Sequence, residues 1–389
     1  MKRLFAFLLV LCMVLTTFAA CGNSNNSANS GGTTANPSEP STSQAEPEPE
    51  IPYTPNPLTG LEKEADYPNG KTPVAIMVNN ISACWPQRGI SEADIIYEMV
   101  TEGGITRLMA VFSDYTTVPV TGPVRSARDQ HVQLMFPYQA LYVHIGASVI
   151  AEQLLDQYDY SQQNMDGKYY SSMWWRDQAR LNAGYATEHT AYTDGEHITA
   201  TVDANNMVVD FEPKPIFNFV KYYDAPRVLE GGDAQSMRII YTPNSYYITS
   251  FTYDVATNKY KKSQAGAPHV DENNGAQLAF DNVFICFADI THYPDTPLAK
   301  VDYRYGGLGY YFYGGKYEKI RWVKGLPEQP LRFYNENGDE VDIEVNCGKT
   351  YVGFSDYTNY DTFVISGSTD GVGNENVTID PTQEVEVAD

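Results

Sequence analysis

Basic side chains are scarce: 26 Lys and Arg stand against 49 Asp and Glu, a formal charge of −23. A nonspecific nucleic-acid binder carries a basic patch or stripe, so this balance speaks against that class. It speaks equally against docking on anionic lipid through a basic surface. Cysteine is scarce too. Five in 389 residues cannot knit a disulfide-built scaffold, and their spacings fit no zinc pattern. Nothing matches Gly-x-Ser-x-Gly, His-Glu-x-x-His or a Cys-His dyad signature. The glycine runs are too short and misplaced for a dinucleotide. No metal and no cofactor is therefore expected. Tryptophan numbers 4 and phenylalanine 16, whereas tyrosine reaches 30. Its flat apolar face and polar tip suit half-exposed sheets and wet binding surfaces.

The length suggests two domains with ample core, once the N-terminus is set aside. Lys2 and Arg3 precede an uncharged run over residues 4–20, the pattern of a signal peptide (1–20) rather than of a stop-transfer span. The run ends Thr17-Phe18-Ala19-Ala20-Cys21-Gly22, which reads as a lipobox with Cys21 as the lipidated residue, although Phe18 stands where Leu is usual. An ordinary signal peptide cleaved near Ala20 is the competing reading. Residues 23–50 contain no large apolar side chain. Such a composition cannot bury enough surface to offset its ordering entropy, so residues 21–51 read as lipidated Cys plus disordered tether. Loss of Lys2 and Arg3 with the leader leaves 24 basic against 49 acidic side chains, a charge of −25. The expected location is the outer face of the plasma membrane, held by the lipid anchor alone. Cys84, Cys286 and Cys347 then remain, and they permit one disulfide at most.

The rest reads as α+β: a mixed α/β domain over 52–210, a smaller, mainly antiparallel β domain over 211–360, and an acidic tail over 361–389. Strands are expected over 72–78, 94–100, 105–112 and 141–145, with Gly103-Gly104 as a turn. Ser126 and Asp129 form a plausible capping pair for a helix towards Phe136, and a second helix covers 148–158. In the second half, strands are expected over 236–241, 246–253, 283–288, 308–313 and 317–324, with Gly314-Gly315 and Asn337-Gly338 as hairpin turns. The oxygen-rich stretch Asp370-Gly371-Val372-Gly373-Asn374-Glu375-Asn376 fits no EF-hand spacing.

Several segments resemble the YerB-type lipoprotein family of Gram-positive bacteria. They are Pro57-Leu58-Thr59-Gly60-Leu61, Pro73 to Asn80, Pro86 to Glu98, Glu102 to Arg107 and Gly122 to Arg128. Pro268-His269-Val270, Asp281-Asn282-Val283 and Gly348-Lys349-Thr350 follow in the second half. The resemblance spans roughly residues 57–356. It implies a two-part body behind a lipid anchor and supplies no reaction. One departure falls at residues 188–193: the family typically has Pro-His-Asn before Tyr-Thr, where this chain has Glu188, His189 and Thr190.

Three constellations can carry chemistry. Arg107, Arg125 and Arg128, with Ser126, gather near one strand-to-helix turn in a very acidic chain. Guanidinium forks grip carboxylate or phosphate bidentately, so this group, with His144 and His189, is a candidate site for an anionic envelope ligand or an envelope protein. Pairing of those arginines with Glu98, Glu102 or Asp129 is the competing reading. Glu98 and Glu102 are a candidate acid–base couple for a cell-wall hydrolase or transferase, with His144 at a strand end as partner. Glycoside cleavage needs carboxyl groups about 5–5.5 or about 6.5–9.5 Å apart, whereas four residues along one strand span about 13 Å. The adjacent aromatics Trp174-Trp175 and Tyr310-Tyr311-Phe312-Tyr313 read as sugar platforms or, more simply, as packing on both faces of a sheet.

Overall fold

The computed structural model describes residues 55–63, 72–209, 215–338 and 341–367. The leader, Cys21, the tether and Asp370–Asn376 lie outside the described residues. Five strands of the first half are β1 (Val74–Asn79), β2 (Ile95–Val100), β3 (Thr106–Phe112), β4 (Leu141–His144) and β5 (Asn164–Asp166). β3 pairs antiparallel with both β1 and β2, while β1, β4 and β5 run parallel. The helices are α1 (Asp129–Met135), α2 (Val149–Gln157), α3 (Gln178–Asn182) and α4 (Gly195–Asn205).

The sheet does not stop at the half boundary. Thr350–Asp356 lies parallel to β2 and also parallel to Asn282–Ala288. Gly307–Tyr313, Lys316–Val323 and Arg332–Asn335 continue it to ten strands. Gly314 and Gly315, at φ +60° and +78°, close the hairpin that a two-residue turn with two positive φ values requires. A second, antiparallel sheet contains Ala267–Pro268, Lys259–Gln264, Ile248–Asp254, Ser236–Ile240 and Val364–Ser366. The architecture is α+β, with a mixed first half and a mainly antiparallel second half.

The main sheet is covered on both faces, so its central strands are mostly apolar. On one face Ala75, Met77, Met109 and Val111 pack with Val132, Leu134, Ala151 and Leu155 of α1 and α2. On the other, Ile76, Val78, Leu108 and Ala110 pack with Ile198 of α4 and with Met237, Phe251 and Tyr260 of the second sheet. Tyr311 faces the first layer and Tyr310 and Phe312 the second, so that aromatic run is core packing. Gly353 makes room between layers: a Cβ there would sit 2.0 Å from the Tyr241 hydroxyl.

Two local expectations are corrected. Ser126 does not cap α1; its hydroxyl donates to the Ile145 carbonyl at 2.9 Å, and the residue at the helix N-cap is Arg128. Residues 123–125 instead run along the end of β1, with the Arg125 N–H bonded to the Met77 carbonyl, which leaves Ser126 beside β4. Val364–Ser366, inside the stretch expected as tail, is a strand paired with Ser236–Ile240. Cys84, Cys286 and Cys347 are all free thiols. Burial pushes Cys286 well up, as suits an inert thiol.

Candidate functional site

Strand alternation separates the arginines that sequence places together. Arg107 shares the helix-covered face of β3 with Met109 and Val111 and is 1 % exposed. Its Nη2 donates to Glu102 Oε1 at 3.1 Å and its Nη1 to the Ser126 carbonyl at 2.8 Å. Arg128 grips the same carboxylate with Nε at 2.7 Å and with Nη2. Burial works against the Glu102 carboxylate, yet the Arg128 hydrogen bonds and the two positive charges hold its pKa down to about 2. Burial and the Arg128 charge pull Arg107 down to about 9. His131, pressed to about 3 by burial and by Arg107, is neutral and donates from Nε2 to the Arg107 carbonyl. Arg107 and Arg128 are thus bound internally to Glu102.

The opposite face of the sheet holds Glu98, which is wholly buried. Its Oε1 accepts from Asn80 Nδ2 at 3.1 Å and Thr106 Oγ1 at 2.8 Å. Its Oε2 accepts from the Tyr351 hydroxyl at 2.8 Å and lies 3.2 Å from Lys262 Nζ. Lys262 is also wholly buried and uses its three protons fully. Besides Glu98 it donates to Gln264 Oε1 at 2.8 Å and His269 Nδ1 at 2.9 Å. Burial draws the Lys262 ammonium down, against the attraction of Glu98. Burial and Lys262 hold His269 far below its usual range, so it is neutral, and its Nε2–H donates to Gln87 Oε1 at 2.9 Å. Gln87 in turn donates to the Asn79 carbonyl and Asn80 Oδ1. Glu98 and Glu102 therefore serve separate cations on separate faces and form no acid–base couple.

His144, 1 % exposed, ends β4 beside a cavity of about 180 Å³ lined by Glu152, Asp156, Asn164, Asp166, Lys168 and Tyr169. Its Nδ1 lies 3.9 Å from Asp166 Oδ1 but donates to the Gly146 carbonyl at 2.8 Å, and its Nε2 sits 2.6 Å from the Asn164 amide. Asp166 Oδ1 already accepts the Gly146 and Lys168 backbone N–H groups. These contacts pin the ends of β4 and β5. His144 joins neither Glu98 nor Glu102.

Arg125 and His189 both meet the end of β1, the first through its N–H to the Met77 carbonyl and the second through Asn79. Arg125 is half-buried, its Nε is closed from water, and its guanidinium finds no acceptor among the described residues. His189, on the short turn Thr187–His189, is buried beside it and feels its charge. The proton on His189 can be placed. Asn79 Oδ1 accepts the Ile81 N–H, so its Nδ2 faces His189 Nδ1 at 3.0 Å and donates to it. Burial and Arg125 keep the ring neutral, against the pull of Glu188. The remaining proton is therefore on Nε2, which also has no acceptor among the described residues. Arg176 lies against the same turn. It lies 4.8 Å over the Trp174 ring, donates to the Thr187 carbonyl and feels the Arg125 charge. Arg88 and Arg180, close by, are already matched to Asp177 and Glu272.

Sequence reading missed Lys262, His269 and Gln87 as a network and Arg176 as a neighbour of the Thr187–His189 turn. The alternation of Tyr260, Lys262 and Gln264 was the available signal, since it puts Lys262 on the inward face with a tyrosine.

Comparison with known proteins now bears on this geometry. Residues 58–208 match "Protein of unknown function (DUF3048) N-terminal domain" and residues 237–352 match its C-terminal domain. The chain belongs to the DUF3048 family. "Putative lipoprotein YerB" of Bacillus subtilis (strain 168) is 30 % identical over 271 residues, 68 % of this chain and 77 % of that protein. The crystal structure of Bacillus subtilis YerB superposes with a TM-score of 0.69 at 26 % identity, covering 80 % of this chain and 99 % of the YerB chain. Within this DUF3048 protein, the two matched segments meet at the Glu98–Lys262 pair, one residue from each. Among the described residues no helix is long and apolar enough to cross a membrane.

Proposed function

We propose that this DUF3048 protein is a lipid-anchored extracytoplasmic protein that binds an anionic envelope ligand non-catalytically, through Arg125 and His189. The observation that carries this reading is the pairing of a half-buried guanidinium with an oriented imidazole N–H, both lacking an acceptor among the described residues. Burying a donor without a partner costs about 1–3 kcal/mol, so the Arg125 Nε, buried and unpaired among the described residues, is suited to receive an acceptor. The surrounding acidity sharpens this: in a chain of charge −23 most surface repels anions, whereas this spot attracts them. Anchoring rests on the Lys2-Arg3 leader with the Cys21 lipobox, and on the lipoprotein name of the Bacillus subtilis relative.

Two measurements test the reading. The full chain in neutral detergent is titrated with sodium phosphate, acetate and glucuronate at constant ionic strength. At least one anion is expected to raise the thermal midpoint, and Arg125→Gln to abolish that rise without lowering the anion-free midpoint. An Arg125→Gln protein that responds like the parent defeats the proposal. Separately, Cys21→Ser is expected to move the protein from the membrane fraction to the medium, and retention would refute the lipid anchor.

A further inference from the structure

We propose that the face beside the root of the tether, the loop 221–228 with Leu61, is a membrane-docking surface that lies in the interfacial layer of the bilayer and turns the Arg125–His189 end of the body outward. The proposal rests on the lipid-anchor reading and adds to it a second, non-covalent contact and an orientation.

Root and loop form one surface. The N-terminal residues join the body at 55–61, where the Thr59 carbonyl accepts the Gly348 N–H at 2.7 Å. The neighbouring Cys347 sulfur lies 3.1 Å from the Gly60 carbonyl and 3.2 Å from the Val220 carbonyl. Gly60 is pressed against the start of the loop so closely that a Cβ there would sit 2.4 Å from the Phe219 ring. Both ends of the loop are pinned. The Val220 N–H donates to the Val345 carbonyl at 2.9 Å, the Arg227 N–H to Asn346 Oδ1 at 2.6 Å, and Asn346 Nδ2 back to the Arg227 carbonyl at 2.8 Å. Between them the Asp224 N–H closes a turn on the Lys221 carbonyl at 2.9 Å. Such ordering in advance lowers the cost of docking.

The side chains suit a bilayer interface. Val228 is 71 % exposed, Leu61 47 % and Tyr223 38 %. The Tyr222 and Tyr223 rings meet edge-on at 5.1 Å, and Lys221 Nζ lies 5.8 Å from the Tyr223 ring centre. Tyrosine, with an apolar body and a polar tip, belongs at headgroup level. A lysine stem can lie along such a surface while its ammonium stays in water. Lys63 and Lys221 offset Glu62 and Asp224 here, so the repulsion that a chain of charge −23 feels from anionic headgroups is weakest where charges balance. The face is small, but a covalent tether holds it near the bilayer at an effective concentration on the order of mM, so little affinity is needed.

The sheet sets the orientation. Gly348 precedes Thr350, which lies level with Ile95, Val111 and Ala75 across three strands. Arg125 and His189 meet the far end of β1, at Met77 and Asn79. About 20 Å of strand separates Gly348 from Asn79 along the sheet. A second exposed apolar group, Tyr305, Leu308, Val323 and Leu326, lies at the end of the sheet away from the tether root. Docking by the root leaves the tether slack. Docking by the other group stretches it along the body, which costs a linker of roughly 30 Å r.m.s. span much of its freedom.

Hydrogen exchange tests the proposal. The lipidated full chain, purified from the membrane fraction, is placed in phosphatidylcholine vesicles and compared with the Cys21→Ser full chain without vesicles. Amides of 221–228 are expected to exchange about fivefold or more slowly in the vesicles, and those of 305–308 and 323–326 at unchanged rates. The triple variant Tyr222→Ser/Tyr223→Ser/Val228→Ser is expected to float with the vesicles as the parent does and to lose the slowing. Val228→Asp alone, at an exposed position, should at least halve it and serves if the triple variant does not fold. A parent chain that does not float with the vesicles refutes the anchor and the docking with it. One that floats with unchanged exchange at 221–228, or with the slowing at 305–308 instead, overturns the docking while the anchor stands. Slowing that survives the triple variant overturns it as well. Slowing in native membranes but not in pure phosphatidylcholine assigns the face to a membrane protein, and this too overturns the lipid contact.

Discussion

Glu98→Gln is expected to remove about 3–5 kcal/mol from the unfolding free energy, a large share of the roughly 5–15 kcal/mol of an ordinary domain. The shape hardly changes; the chemistry does. All four groups around the carboxylate donate: Asn80, Thr106, Tyr351 and Lys262. A carboxamide turns one acceptor into a donor, so an N–H must face Asn80 and Thr106 or else Tyr351 and Lys262. Lys262, with no exposed surface, is left as a buried cation without an anion. Urea unfolding of the full chain in detergent measures the loss. The double variant Glu98→Gln/Lys262→Met should recover more than 1 kcal/mol relative to the sum of the single losses, because residues in one buried network couple. A loss below about 1 kcal/mol, or strict additivity, would show that the pair is not what joins the second sheet to the main one.

That pair also shows what can and cannot be read from the chain alone. The continuous apolar runs of β1, β3 and Asn282–Ala288, and the Gly314-Gly315 turn, are local features, and they were legible. Arg125 and His189 also stand out in the chain, as an arginine in a very acidic sequence and a histidine in a polar loop. The grouping of the arginines was not legible. Arg107 and Arg128 lie on the helix side of the sheet with Glu102, and strand register, which is set by partners far along the chain, decides this. Lys262 was hidden for the same reason: Lys259-Tyr260-Lys261-Lys262 reads as a solvated edge until the second sheet is laid on the first. Val364–Ser366 was hidden by composition, since a short strand that completes a sheet edge needs little intrinsic signal.

Glu102→Ala is the second large effect, with an expected loss of about 3–5 kcal/mol at pH 7, because it strands the buried Arg107 beside Arg128. Its acid dependence has a defined sign. The folded-state pKa, about 2, lies below the ordinary value of 4.5. The stabilisation from Glu102 is therefore complete above about pH 4.5 and is lost as pH falls towards 2. The shift alone corresponds to roughly 3 kcal/mol. Arg107 is drawn the other way by its burial, so the net share of the cluster is smaller, on the order of 2 kcal/mol. Glu102→Gln keeps the shape and removes the titration. Its stability should therefore fall less steeply than that of the parent between pH 5 and pH 2, with the two curves converging at the acid end. Parallel curves across that window would mean that another carboxylate governs acid unfolding. Glu102 would then hold the two arginines by geometry more than by charge.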